Sequence, residues 1–138
     1  MNAETTQPLN GLRILLVEDE IDAAETTARL LQMYGHDVRV AGDGPAALQA
    51  ARDEVPDVVL LDLGLPGMDG YQVAQRLREQ QAKKRLLVIA ISGYGRDSDE
   101  RLKSYQAGID LHLTKPVEVQ ELQRFLERFR DVTRPTSS

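Results

Sequence analysis

Cysteine is absent from the 138 residues, which excludes disulfides and thiolate metal sites and agrees with a reducing cytoplasm. No apolar run approaches the ~20 residues that a membrane-spanning helix requires. The start, Met1-Asn2-Ala3-Glu4-Thr5-Thr6, lacks the basic lead and apolar centre of a signal peptide. An excess of basic charge is missing too. With 17 basic against 22 acidic residues the net charge is −5, which gives no electrostatic footprint for nucleic acid. Internal repeats, linkers and low-complexity segments are not found either. What remains, 41% hydrophobic and 28% charged, suits one globular domain of ordinary size, cytoplasmic and without a membrane partner.

Within that domain, apolar runs alternate with helical patterns five times. Leu12–Val17, Val58–Leu61, Leu86–Ile91 and Leu111–Leu113 read as buried strands, and Asp37–Ala41, with Val38 and Val40 alternating with Arg39, as an outer one. Ile21, Ala24, Ala28 and Leu31 recur at helical spacing, with Gly35 as the stop. Asp43-Gly44-Pro45 opens a second helix, with Asp43 as cap and proline in the first turn. Asp69-Gly70 leads into a third. A short fourth helix over 98–107 has only Leu102 and Tyr105 as large apolar residues and ends at Gly108. The last, over 118–129, carries Val119, Leu122, Phe125, Leu126 and Phe129 on one stripe. The expectation is an α/β domain with a five-stranded parallel sheet, doubly wound, and ligand chemistry at the carboxyl ends of the strands. Residues 1–10 are expected to be a flexible arm, 11–130 the domain, and 131–138 a flexible tail.

Charged and hydroxyl groups stand where these strands stop. Glu18 and Asp19 follow the first; acids opening a helix are favourable there for purely local reasons as well, so alone they leave two readings open. Asp62 ends four aliphatic residues, where a carboxylate is costly without compensating contacts. The loop behind it, Leu63 to Gly70, holds three glycines and a proline, shaped to turn closely around something. Ser92 ends the fourth strand. Lys115, ahead of Pro116, ends the fifth and is expected level with Asp62. Gathered carboxylates repel and call for a hard cation such as Mg²⁺, and a nearby lysine can neutralise an added anion.

In this order the segments Ile14-Leu15-Leu16-Val17-Glu18-Asp19-Glu20, Asp57 to Gly70, Ala90-Ile91-Ser92-Gly93 and Leu113-Thr114-Lys115-Pro116 resemble the receiver domain of bacterial two-component response regulators, from about Gly11 to Phe129. The resemblance implies a flavodoxin-like (βα)5 fold. It implies that Asp62 accepts a phosphoryl group from a histidine kinase or histidine phosphotransfer protein. Glu18, Asp19, Asp62 and the carbonyl of Gly64 would hold Mg²⁺ or Mn²⁺. Lys115 would pair with the phosphate, and Ser92 and His112 would form the switch. Such a domain is a phosphoacceptor rather than an enzyme, one that assists its own phosphorylation and dephosphorylation. It acts through a protein surface, here the helix over 98–107, the strand 111–113 and the helix 118–129, with no direct contact to nucleic acid.

Two positions depart from the family pattern. Glu18 stands where aspartate is commonest, and His112 where Tyr or Phe is usual. An imidazole there, with an ordinary pKa of about 6.5, would turn inward on phosphorylation, and its protonation would oppose that burial; the alternative is an exposed, uncoupled histidine. Two other functions fail on particular residues. An aspartate-nucleophile phosphohydrolase of the haloacid-dehalogenase type carries a second acid two residues on, where Gly64 cannot move a proton. A dinucleotide-binding domain requires a glycine-rich first turn, where this chain reads Glu18-Asp19-Glu20.

Overall fold

Alternate residues of each strand face opposite sides of a sheet, so a strand that is aliphatic throughout needs cover on both sides. The computed structural model, which describes residues 11–65, 69–81, 86–93 and 106–133, meets that requirement with two separate apolar layers. The elements run β1 (Arg13–Val17), α1 (Ile21–Met33), β2 (Asp37–Ala41), α2 (Gly44–Asp53), β3 (Val58–Asp62), α3 (Gly70–Gln80), β4 (Leu87–Ser92), β5 (Leu111–Thr114) and α4 (Val119–Thr133). All strand pairs are parallel, in the order β2-β1-β3-β4-β5.

Ile14 and Leu16 of β1, Val58 and Leu60 of β3, and Leu87, Ile89 and Ile91 of β4 pack with Leu31 of α1 and Leu122 and Leu126 of α4. Their alternates (Leu15, Val17, Val59, Leu61, Val88 and Ala90) pack with Leu48 of α2 and Val73 and Leu77 of α3. Strand order reverses between β1 and β3, so the crevice at their carboxyl ends is the natural ligand site of such a sheet.

Local chemistry places the helix ends as the sequence indicates. Asp43 Oδ1 accepts the N–H of Ala46 at 2.8 Å, and Asp69 Oδ1 that of Tyr71 at 3.0 Å, each satisfying a donor the helix leaves unpaired. Gly35 ends α1 at φ +95°, a conformation that suits glycine. The last helix differs from expectation. It runs through Thr133, so Asp131, Val132 and Thr133 belong to it rather than to a tail beginning at 131. No breaker precedes Pro135, and proline disfavours helical geometry only for the residue just before it. Most of the short helix expected over 98–107 lies outside the described residues. No helix among the described residues is long and apolar enough to cross a membrane.

Candidate functional site

The register fixes which strand ends meet. Val17 lies beside Leu61, so the residues that follow them, Glu18 and Asp62, leave adjacent strands together. One ligand oxygen each from Glu18, Asp19 and Asp62 falls within 4.8 Å of the others. Asp62 is only 6% exposed. Its Oδ1 accepts the backbone N–H of Gly64 at 2.8 Å, and its Oδ2 accepts from Lys115 Nζ at 3.0 Å. Lys115 is not level with Asp62, as the sequence had suggested. Ile91 pairs with both Asp62 and Leu113, so the lysine stands beyond that level and reaches back across the strand ends. It follows the strand with its own N–H given to the Ser92 carbonyl at 2.7 Å, and the Lys115–Pro116 peptide is cis.

These groups line an open cleft of about 970 Å³ whose walls are Glu18, Asp19, Glu20, Ile21, Asp22, Asp62, Gly64, Gly93 and Lys115. Five carboxylates thus face one ammonium. Burial is the largest influence on Glu18 and raises its carboxyl above the ordinary value. The N–H of Glu20, 3.2 Å from Glu18 Oε2, works against that, and the charge of Asp62 adds to it. For Lys115, burial would lower the ammonium, but the bond to Asp62 and the charges of Asp62, Glu18 and Asp19 outweigh it, so its pKa is raised. The site is short of positive charge, and hard oxygen donors in this arrangement fit Mg²⁺ or a similar cation.

Ser92 and His112 do not line the cleft. Both are buried, and Ser92 Oγ lies 3.0 Å from His112 Nε2. An imidazole that turns in only on phosphorylation, and an exposed uncoupled one, both start from an outward ring. In the structure the ring is already inside, 7% exposed. Sequence reasoning also passed over Glu20, Ile21, Asp22 and Gly93 as cleft residues. Glu20 and Asp22 follow the acid pair and offered a direct signal; Ile21, which shares the helical spacing of Ala24, Ala28 and Leu31, is 73% exposed.

Comparison with known proteins agrees with this geometry. The family model described as response regulator receiver domain matches residues 14–127. The transcriptional regulatory protein TcrA of Mycobacterium tuberculosis is 38% identical over 130 residues, covering 92% of this chain and 50% of that protein. A probable histidine kinase 2 of rice (Oryza sativa subsp. indica) is 32% identical over 134 residues, covering 86% of this chain but 13% of the kinase. The chain therefore spans half or less of these curated relatives. Among solved structures, the receiver domain of the sensor histidine kinase PA1611 from Pseudomonas aeruginosa PAO1 has a magnesium ion coordinated in its active-site cleft. It is 34% identical, with a TM-score of 0.76, covering 86% of this chain and 97% of that one. With strand order, acid cluster and family match in accord, the chain belongs to the response regulator receiver domain family of two-component signal transduction.

Proposed function

We propose that Asp62 accepts a phosphoryl group from a phosphohistidine carried by a histidine kinase or a histidine phosphotransfer protein. The supporting observation is a nearly buried carboxylate that shares a 4.8 Å cluster with Glu18 and Asp19 while bonded to Lys115. In the transfer a carboxylate oxygen of Asp62 bonds to phosphorus as the bond to the imidazole nitrogen breaks, leaving an acyl phosphate on Asp62. Glu18, Asp19, Asp62 and the Gly64 carbonyl would hold Mg²⁺ or Mn²⁺, which supplies neutralisation of charge between two anionic reactants. Lys115 exchanges its bond to the carboxylate for one to the added phosphoryl oxygens.

Gly64 provides no side chain to work as a second acid, so the domain is a phosphoacceptor switch rather than a hydrolase. Residues 11–130, with α4 continuing to Thr133, form the working unit. Ser92 and His112 are its switch pair. Its outlet is a protein-binding surface made of the segment 98–107, β5 and α4, with no contact to DNA or membrane. The exchange belongs to the cytoplasm. Acetyl phosphate with Mg²⁺, followed by intact-protein mass measurement, tests the reading. Wild type should gain one phosphoryl group, and Asp62→Asn none. An adduct on the Asn variant, or one formed in EDTA, would sink it.

A further inference from the structure

The hydrogen bond between Ser92 and His112 joins two buried polar groups at the edge of an aliphatic layer, and the register explains it. Ala90 pairs with His112, and Ser92 with Thr114. By strand alternation, Ser92 therefore projects to the side taken by Val88 and Ala90, and His112 to the side opposite that of Leu111 and Leu113. The two are diagonal neighbours on one face, and their side chains meet at 3.0 Å. Asp62 follows the parity of Val58 and Leu60, which face the other layer. The resting hydroxyl thus belongs to the face opposite the acid it is meant to serve. Its backbone cannot swing to correct this, because the Ser92 carbonyl accepts the Lys115 N–H at 2.7 Å. Only a side-chain rotation brings Oγ over the strand end.

We propose that His112 is a positioning residue that holds the Ser92 hydroxyl back from the cleft, so that loading Asp62 requires Ser92 Oγ to exchange the imidazole Nε2 for a phosphoryl oxygen. This rests on the phosphoacceptor reading of Asp62. A phosphoryl oxygen has no hydrogen to give, so Ser92 must donate to it with its single hydroxyl hydrogen. A charged acceptor makes the stronger bond, so the exchange runs forward once the group is in place. The imidazole bond is nonetheless lost on the way and lowers the affinity for the loaded state. A ligand shifts the two arrangements only by its differential interaction with them. Weakening the resting arrangement must therefore tighten binding of the phosphoryl group, the reverse of what removing a switch aromatic would do if that ring supported the loaded state.

Beryllofluoride, a phosphoryl mimic, supplies the test, titrated calorimetrically with saturating Mg²⁺ into wild type, His112→Phe and His112→Gln. The Phe variant keeps a ring without the bond and should bind the mimic roughly two- to tenfold more tightly, the equivalent of one net hydrogen bond. Gln carries a polar atom at similar reach and should stay near wild type. Mg²⁺ affinity should be the same in all three. In a Ser92→Ala background, His112→Phe should change nothing. His112→Leu, which is smaller, replaces the Phe arm if the larger ring unfolds the domain. Unchanged or weaker binding in the Phe or Leu variant, or an effect that survives Ser92→Ala, overturns the proposal. Wild type that fails to bind the mimic, or Asp62→Asn that binds it equally, overturns the phosphoacceptor reading first, and this inference with it.

Discussion

Lowering the pH should loosen the attachment of the last helix through His36. This residue, 5% exposed, immediately precedes β2 and bridges two parts of the chain. Its Nδ1 accepts the backbone N–H of Leu12 at 3.0 Å, and because that amide can only donate, Nδ1 carries no proton. The ring hydrogen is then on Nε2, which donates to Gln123 Oε1 on α4 at 2.6 Å; the Gln123 amide in turn donates to Glu127 Oε2 at 3.2 Å. Burial, the largest influence, pushes the His36 pKa below its ordinary value. The Gln123 bond opposes that shift, the charge of Arg130 adds to it, and the charge of Glu127 opposes it. A second proton has to go on Nδ1, which would set it against the Leu12 donor and leave that buried amide unpaired, a penalty of about 1–3 kcal/mol.

The native state therefore binds the proton less readily than the unfolded chain. The contribution of His36 to stability is complete above the unfolded pKa of about 6.5 and declines as the pH falls below it, by at most about 1.4 kcal/mol per pH unit. Urea unfolding of wild type and His36→Asn between pH 8 and pH 5 measures this. Asn keeps an acceptor for Leu12 but loses Gln123, so it should be about 1 kcal/mol less stable at pH 8 and lose less on acidification. The chain has one other histidine, His112, and it is common to both proteins, so their difference isolates His36. A gap between the two proteins that is the same at pH 8 and pH 5 would refute the argument.

Lys115→Ala should leave Mg²⁺ affinity, read by calorimetry, equal to wild type or slightly higher, since the ammonium 3.0 Å from Asp62 opposes the cation; outright loss of binding would contradict its role. Gly11→Ala should be among the most destabilising single changes, lowering the melting temperature by several degrees or preventing folding, because an added Cβ would stand 2.1 Å from the Gly35 carbonyl oxygen. Arg78→Ala removes bonds to the carbonyls of Gly108 and Leu86 and the ion pair with Asp110. A cost of roughly 2–3 kcal/mol is expected, together with faster amide exchange at Val88, whose N–H is held by the same Asp110 carboxylate at 2.8 Å; unchanged exchange there would show that Arg78 does not hold that carboxylate in place.

Strand position and cleft chemistry were legible because they depend on order along the chain. An aliphatic run followed by an acid, hydroxyl or lysine reports its own end, and parallel pairing brings such ends together whatever the intervening sequence. Groups that depend on partners far away were not legible. His36 and Gln123 are 87 positions apart, and nothing local to Gly35-His36-Asp37 announces a buried ring. In Leu111-His112-Leu113 alternation would give the inside to the leucines, yet His112 is buried while Leu111 and Leu113 are only half-buried, so the pattern did not report which face is the better covered. The offset of Lys115 from Asp62 was hidden for a related reason. Register is set between strands, and a single strand does not contain it.

The two apolar layers make the sheet a partition. Glu18, Asp62 and Lys115 follow the strand parity of the layer under α1 and α4, whereas Ser92 and His112 belong to the layer under α2 and α3. News of an event on Asp62 does not have to pass through the densely filled interior, where rearrangement is costly; it can cross at the rim, where one rotating hydroxyl reaches both sides. The fold can then remain the same object before and after the event while the two flanks vary separately. Substitutions on the flank beside α1 need not disturb the flank that holds His112.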